Sequence, residues 1–462
     1  MKRKKLFTAM VFFSILLIPA ALLAFPTVFP HGTTIYQPDK CFNGYTILPT
    51  KGSQTVLIDM NGNVVKHWGN VSNEEHPVKL LPGGYVMGAT GKPGRIHGDD
   101  YSNDLSVVDW DGNIIWSYKK AGMHHDHQRE GNPVGYYVPG MEPNVKGGKT
   151  LILSNKIVEN RMISDKPLLD DYIYEVDYDG KMLFEWLASD HFKEMGFDEI
   201  AKNTMYKWPN FRATRTPGKV GGDWIHINSA SWLGPNKWYD KGDERFNPDN
   251  IIYDGRQTQT TGIISRKTGK LVWHMGPDFT LSKELKKIGI TIGLHHAHMI
   301  PKGLPGAGNI LIFDNGGYSG YGIPNPSSPT GLNNALNDFS RVVEIDPVKM
   351  KVVWEYTANK AGFRDRCKFY SDYISSAQRL PNGNTLITEG AMGRLFEVTP
   401  KYETIWEYVS PFYYATEKFN MVYRAYRYPY DWVPQLKKPV EKAVVPPENT
   451  MLWLEDRRIV IK

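Results

Sequence analysis

Residues 107–118 read VVDWDGNIIWSY: an apolar pair, an aspartate, a tight Asp-Gly turn, and a second apolar run that ends in aromatics. That pattern is the local signature of a β-hairpin, because Asp-Gly and Asn-Gly supply the positive φ that a two-strand turn needs. Five further stretches repeat it. They are LIDMNGNVVKHW from Leu57, EVDYDGKMLFEW from Glu175, IISRKTGKLVWHM from Ile263, VEIDPVKMKVVWEY from Val343 and FEVTPKYETIWEY from Phe396. Between them recurs a glycine turn followed by a short apolar strand, as in LLPGGYVMGAT from Leu80 and LPNGNTLITEG from Leu380. Alternating the two elements gives antiparallel four-stranded units. Six near-copies of one hairpin favour radial repetition over a sandwich, so the expected fold is all-β, a six-bladed β-propeller with helical and loop insertions.

Composition agrees. The chain has 462 residues, 41% of them hydrophobic, enough for a large core. Aromatics make up 13%, with 13 Trp and 26 Tyr, which suits strands. The net charge of +6 is modest and its basic residues are scattered, so no nucleic-acid partner is expected. The basic start MKRKK precedes a run from Leu6 to Phe25 without a charge. This is read as a signal peptide or membrane-anchor helix over residues 1–25, with Leu22 disfavouring cleavage after Ala24 and the domain held outside the cytoplasmic membrane, on its periplasmic or extracellular face. The propeller is expected over 31–434 and a C-terminal extension over 435–462. Insertions at 189–205 (one helix with a serine N-cap) and around FTLSKELKKIG are read as helical. Cys41 and Cys367 are either one long-range disulfide or two thiols.

The 13 histidines are unevenly placed. His76, then His124, His125 and His127, then His226, then His295, His296 and His298 all fall just before or within a strand that should line the axis. Equivalent positions of successive units face one centre, so the groups are expected to converge on one funnel. Strand alternation puts His125 and His127 on one face, and likewise His296 and His298, and His226 and Asn228. Converging imidazoles serve as nucleophile, acid or base, or as ligands of a transition metal, for which His125, His127, His226, His296 and His298 are the candidates. No cofactor is expected on the first reading. Arg129, near the rim, is a candidate for holding an anion.

The set HGTTIYQP, GYTILPT, DWIHINSAS, HHAHMIP, GNILIFDNGG, SRVVEIDP and LPNGNTLITEGAMGRLFEV resembles the bacterial arylsulfate sulfotransferase family, over nearly the whole chain from about His31 to Pro434. The resemblance implies a periplasmic six-bladed propeller that moves a sulfuryl group from an aryl sulfate to a phenol, without PAPS, by a ping-pong route through a sulfohistidine. It places His226 at the family's DWxHxNS histidine and His295 at the histidine before FDNG, with His296 and His298 as additions. The family arginine after FDNG is missing here, and Arg341 or Arg379 are the candidates for its place. The family's nucleophilic histidine comes from a later unit, yet no histidine follows His298. The matching stretch FYSDYISSAQRLPNGN offers Ser375, Ser376 and Gln378 instead. The expected catalytic set is therefore His125, His127, His226, His295, His296 and His298, with Asn228, Arg129, Arg341 and Arg379 holding substrate. The rival readings are a metal-dependent propeller enzyme and a non-catalytic binding propeller held at the membrane.

Overall fold

The computed structural model describes residues 30–50, 54–69, 71, 76–90, 102–213, 220–413 and 419–445. The expected signal or anchor helix over residues 1–25 lies outside these, as do residues 446–462 of the C-terminal extension. Among the described residues no helix is long and apolar enough to cross a membrane.

Strand β1 (Gly32–Tyr36) precedes β2 (Tyr45–Thr50), β3 (Gln54–Ile58) and β4 (Val64–Gly69). Then come β5 (Lys79–Leu81), β6 (Tyr85–Thr90), β7 (Ser102–Val108), β8 (Ile114–Arg129), β9 (Thr150–Val158), β10 (Leu168–Val176) and β11 (Met182–Leu187). Short β12 (Phe211–Ala213) and β13 (Val220–Gly222) edge that sheet, making nine strands in all. A four-stranded sheet follows: β14 (Ile227–Trp232), β15 (Ile251–Gly255), β16 (Thr260–Ile264) and β17 (Leu271–Met275). The next contains β18 (His295–Met299) and β19 (Ile310–Asp314) and, after the inserted pair β20 (Ser319–Tyr321) and β21 (Leu332–Ala335), β22 (Arg341–Asp346) and β23 (Lys351–Tyr356). The last is β24 (Ser376–Arg379), β25 (Thr385–Glu389), β26 (Arg394–Val398) and β27 (Thr404–Val409). The chain ends cross over: β1 adds to β27 as a fifth strand, and β28 (Tyr426–Tyr428) completes the sheet of β2, β3 and β4.

All six hairpins are present as antiparallel pairs, each with a register shift on its first strand just before the turn. In the first three the aspartate carboxylate accepts the N–H four residues on, Asp59 from Asn63, Asp109 from Asn113 and Asp177 from Lys181. Gly62, Gly112 and Gly180 take the positive φ. Each hairpin's tryptophan then reaches the turn of the next. Trp68 donates to Asp109 O, Trp116 to Tyr178 O, Trp186 to Gly269 O, Trp273 to Pro347 O and Trp354 to Pro400 O. Trp406 donates to Met60 O in the first hairpin, so the ring closes.

The blade count needs correction. Four blade-like sheets each carry one hairpin where six were expected, and the second and third hairpins share one nine-stranded sheet. Strand β8 runs 16 residues, pairs with β7 at its start and β9 at its end, and passes through Gly122 at φ 88 without stopping. The expected helix at 189–205 is also two pieces. A 3₁₀ segment, Ala188–Met195, ends on left-handed Gly196, and an α-helix, Glu199–Lys207, restarts on an Asp198 cap. The helix Lys283–Ile288, capped by Ser282, matches its reading. Cys41 and Cys367 are free thiols, Cys367 exposed and Cys41 raised to about 12 mainly by burial. Residues 435–445 pack on the ring, Val444 bridging to Tyr36 and Val440 accepting from Asn61.

Candidate active site

The innermost strands are tied to one another in a circle. Lys79 on β5 reaches Asp126 on β8, Gln128 reaches Ala230 O on β14, and Ser229 reaches Ala297 O on β18. Ile374 N–H, just before β24, donates to His295, and Gln378 donates to Arg427 O on β28. The histidine groups sit along this circle, gathered in two groups and not in one. His125, His226 and His296 each adopt a left-handed backbone, at φ 58, 52 and 55, beside a register shift in their strands. Ile374 and Ser375 do the same at the head of β24, at φ 53 and 88. Non-glycine residues rarely accept this conformation, and its recurrence at one structural position marks a shared turn into the axis.

That turn overrides the alternation expected from extended strands. His125 goes to His226, with ring centroids 5.0 Å apart, while His127 goes to His76, 6.5 Å away. His296 and His298 do lie together, at 4.4 Å.

One group of side chains comprises His124, His125, His226 and Tyr423. His226 Nδ1 is 2.7 Å from Asp223 Oδ2, and the His125 ring meets Tyr423 edge-on at 5.8 Å. A carboxylate that accepts a hydrogen bond from Nδ1–H favours the tautomer protonated at Nδ1. The second group comprises His76, His127, His296 and His298 with Tyr136, Tyr426 and Lys79. His298 lies 2.9 Å from the Tyr136 hydroxyl through Nε2 and 2.9 Å from His296 O through Nδ1. The Tyr426 hydroxyl is 3.3 Å from His296 Nε2.

Arg424 joins the two groups. Its side chain is fully buried, donates to Asp126 Oδ2 at 3.1 Å and to Asn228 O, and stacks on Tyr423. Burial alone would lower its pKa, but Tyr423, Asp126 and other acidic neighbours outweigh that, so it stays a cation. The second group is held neutral. Burial lowers His76 and His298 to about 4 and sets His127 and His296 well below the usual imidazole range. His295 is lowered likewise, first by burial and then by the charge of Arg256.

The sequence-selected residues thus separate. His295 has both nitrogens engaged, Nε2 by Ile374 N–H at 3.1 Å and Nδ1 by Gly293 O and Asn315 Oδ1, which leaves no pair for attack. Asn228 is buried on the axis with its N–H on Asp254. The three arginines lie elsewhere. Arg129 stacks on Trp116 and donates to Gly147 O, Arg341 pairs with Asp314 and Glu355, and Arg379 pairs with Glu344. Each neutralises or covers a partner in the blades. The axial arginine is Arg424, from a stretch VYRAYRYPY whose alternating Tyr and Arg was the available signal. Two adjacent aspartates inside the apolar strand LLDDYIYEV were a second signal, since a buried strand cannot turn either to water.

No three His, Cys, Asp or Glu side chains among the described residues gather so as to hold a metal ion. The histidines expected as metal ligands divide between the two groups, His125 and His226 in one and His127, His296 and His298 in the other. Ser375 is a buried structural hydroxyl, donating to Ser371 Oγ at 2.8 Å and accepting Gly390 N–H. A cavity of about 310 Å³ is lined by Phe197, Thr258, Gln259, Phe279 and Tyr321 among others, and by none of these histidines. It is bounded by the segment whose Arg256 and Gln257 N–H groups donate to His226 O and Ile225 O. The titratable chemistry is on the axis, so the axis is the candidate site.

The sequence model of the family described as Arylsulfotransferase (ASST) matches residues 53–420. No curated protein matches the chain. Among solved structures, a protein of unknown function from Bacteroides caccae is similar at 11% identity and TM-score 0.41, covering 83% of this chain and 98% of that one. Streptogramin B lyase is similar at 12% identity and TM-score 0.36, covering 84% and 85%. Apo AztD from Citrobacter koseri is similar at 9% identity and TM-score 0.35, covering 83% and 97%. Likenesses at these scores carry no argument about this chain.

Proposed function

The chain belongs to the arylsulfotransferase (ASST) family, and from that premise we propose that it transfers a sulfuryl group from an aryl sulfate to a phenol through His226. The observation that carries the proposal is the Asp223–His226 pair, at 2.7 Å, on the axial circle and beside a second imidazole. The carboxylate fixes the tautomer that keeps the Nε2 pair basic, which is how a neutral imidazole becomes a nucleophile.

In the first half-reaction Nε2 attacks sulfur, the S–O bond to the aryl group breaks, and its electron pair leaves with the phenolate oxygen. In the second the acceptor oxygen attacks sulfur and the S–N bond breaks, returning the pair to His226. The guanidinium groups of Arg424 and Arg256 supply positive charge near this axis, both acting on His295, and suit the sulfonate oxygens. The stretch that resembles the family's histidine region offers Ser375, Ser376 and Gln378 instead, and Ser375 is held in structural hydrogen bonds, so the nucleophile is assigned to the histidine of the DWxHxNS motif. The uncharged run after MKRKK supports export and anchoring, which would present the site to phenols outside the cytoplasmic membrane.

Mixing the purified protein with 4-nitrophenyl sulfate tests the reaction. Nitrophenolate release should rise with added phenol, with donor and acceptor giving parallel double-reciprocal lines. Release that ignores the acceptor, or none, would refute sulfuryl transfer between phenols.

A further inference from the structure

The cavity of about 310 Å³ lies at the low end of the roughly 300–1,000 Å³ of small-ligand pockets, which suits one or two fused rings. Its walls are aromatic. Phe197, Phe279 and Tyr321 line it, each 9% exposed or less. Phe197 meets Trp224 edge-on at 6.3 Å, and the Tyr321 hydroxyl is spent on Trp224 O, so these rings are held in place. Ile290 and Lys286, both exposed, mark the mouth.

Most of the polar lining is used up within the protein. Thr258 Oγ1 meets Gly255 O and Thr260 Oγ1, Asp198 accepts Ala201 N–H, and Asp278 accepts from Thr280. Gln259 differs. Its Nε2 donates to Ser319 Oγ at 3.2 Å, and among the described residues its Oε1 accepts no hydrogen bond. Its backbone is left-handed at φ 59, which a glutamine adopts only where its surroundings impose it. Gly276 packs on the Gln259 carbonyl so closely that no side chain would fit there. Water could satisfy Oε1 but would leave three rings wet, whereas an aryl ring with a hydroxyl answers both. Among the lining residues two carboxylates face one ammonium, Lys286, so the rim disfavours an anion such as an aryl sulfate.

We propose that this cavity binds a neutral one- or two-ring phenol, with the ring against Phe197, Phe279 and Tyr321 and the hydroxyl donating to Gln259 Oε1. It is a second phenol site, off the axis, and it stands whether or not His226 carries a sulfuryl group.

Calorimetric titration of the full chain with 2-naphthol at neutral pH, where the hydroxyl keeps its proton, tests the site. 2-Methoxynaphthalene, which keeps the rings and loses the donor, should bind about tenfold more weakly or worse. 2-Naphthyl sulfate should not displace the naphthol. Two variants locate the ligand, each checked by a thermal melt. Gln259→Asn tolerates the left-handed backbone and withdraws the amide by one methylene, so the hydroxy and methoxy compounds should bind alike. Ala201→Leu fills the cavity from its helix and should weaken naphthol binding about tenfold or more. His226→Asn should bind as the wild type does. Equal affinity of the wild type for the two naphthalenes, displacement by the sulfate, or naphthol binding that ignores the cavity variants and falls in His226→Asn would overturn the proposal. The comparison of the two naphthalenes needs only the wild type, so it decides even if a variant does not fold.

Discussion

Replacing His226 with asparagine removes turnover by about 10⁴-fold or more and leaves the fold intact, because a covalent nucleophile has no substitute at its position. Asparagine is the informative replacement. The backbone at 226 is left-handed at φ 52, where asparagine is among the few residues tolerated, and its amide can still meet the Asp223 carboxylate. The measurement is steady-state transfer from 4-nitrophenyl sulfate to phenol, with a thermal melt as control. Asp223→Asn should fall about 10³-fold, since the amide selects the opposite tautomer. A His226→Asn protein that retains more than a small fraction of its rate would move the nucleophile elsewhere.

The largest stability effect is expected at Arg424. Its side chain is fully buried and ties Asp126, Asn228 O and Tyr423 together at the centre of the ring. Arg424→Met leaves Asn228 O without its guanidinium donor and Asp126 with Lys79 as its remaining cation, whose own pKa burial has already lowered to about 8. Breaking a buried pair from one side costs about 3–5 kcal/mol. Arg424→Lys should recover little, since an ammonium cannot span both acceptors as the guanidinium fork does. The surface pair Lys40–Glu403, about half exposed on both sides, is the control, and Lys40→Met should cost under about 1 kcal/mol. Urea unfolding of the three variants reads the contrast, and equal losses at Arg424 and Lys40 would show that the axis is not held by this cation.

The ring was legible because its determinants are local. The Asp-x-x-Gly turns at Asp59, Asp109 and Asp177 mark three hairpins, a tryptophan ends or nearly ends all six, and the structure uses both. What was illegible depends on tertiary context. Nothing in HHDHQREG shows that β8 passes through Gly122 and joins two units into one sheet. Gly196 splits a pattern that reads as one helix. The left-handed backbone at His125, His226 and His296 cannot be read from alternation, so alternation fails for His125 and His127 while His296 and His298 still lie together. The arginines were misplaced for a related reason. Arg129, Arg341 and Arg379 lie near the right motifs, but the axial cation, Arg424, comes from the irregular segment just before β28, a strand of three residues with no pattern length to recognise.

The most direct test is to find where the sulfuryl group sits. The enzyme is incubated with 4-nitrophenyl sulfate alone, quenched at alkaline pH, digested and mapped by mass spectrometry. The account predicts a sulfuryl mass increment on the peptide carrying His226, absent from His226→Asn and discharged by phenol. An increment on the peptide carrying His124, His125 and His127, on Ser375, or on no residue would contradict it.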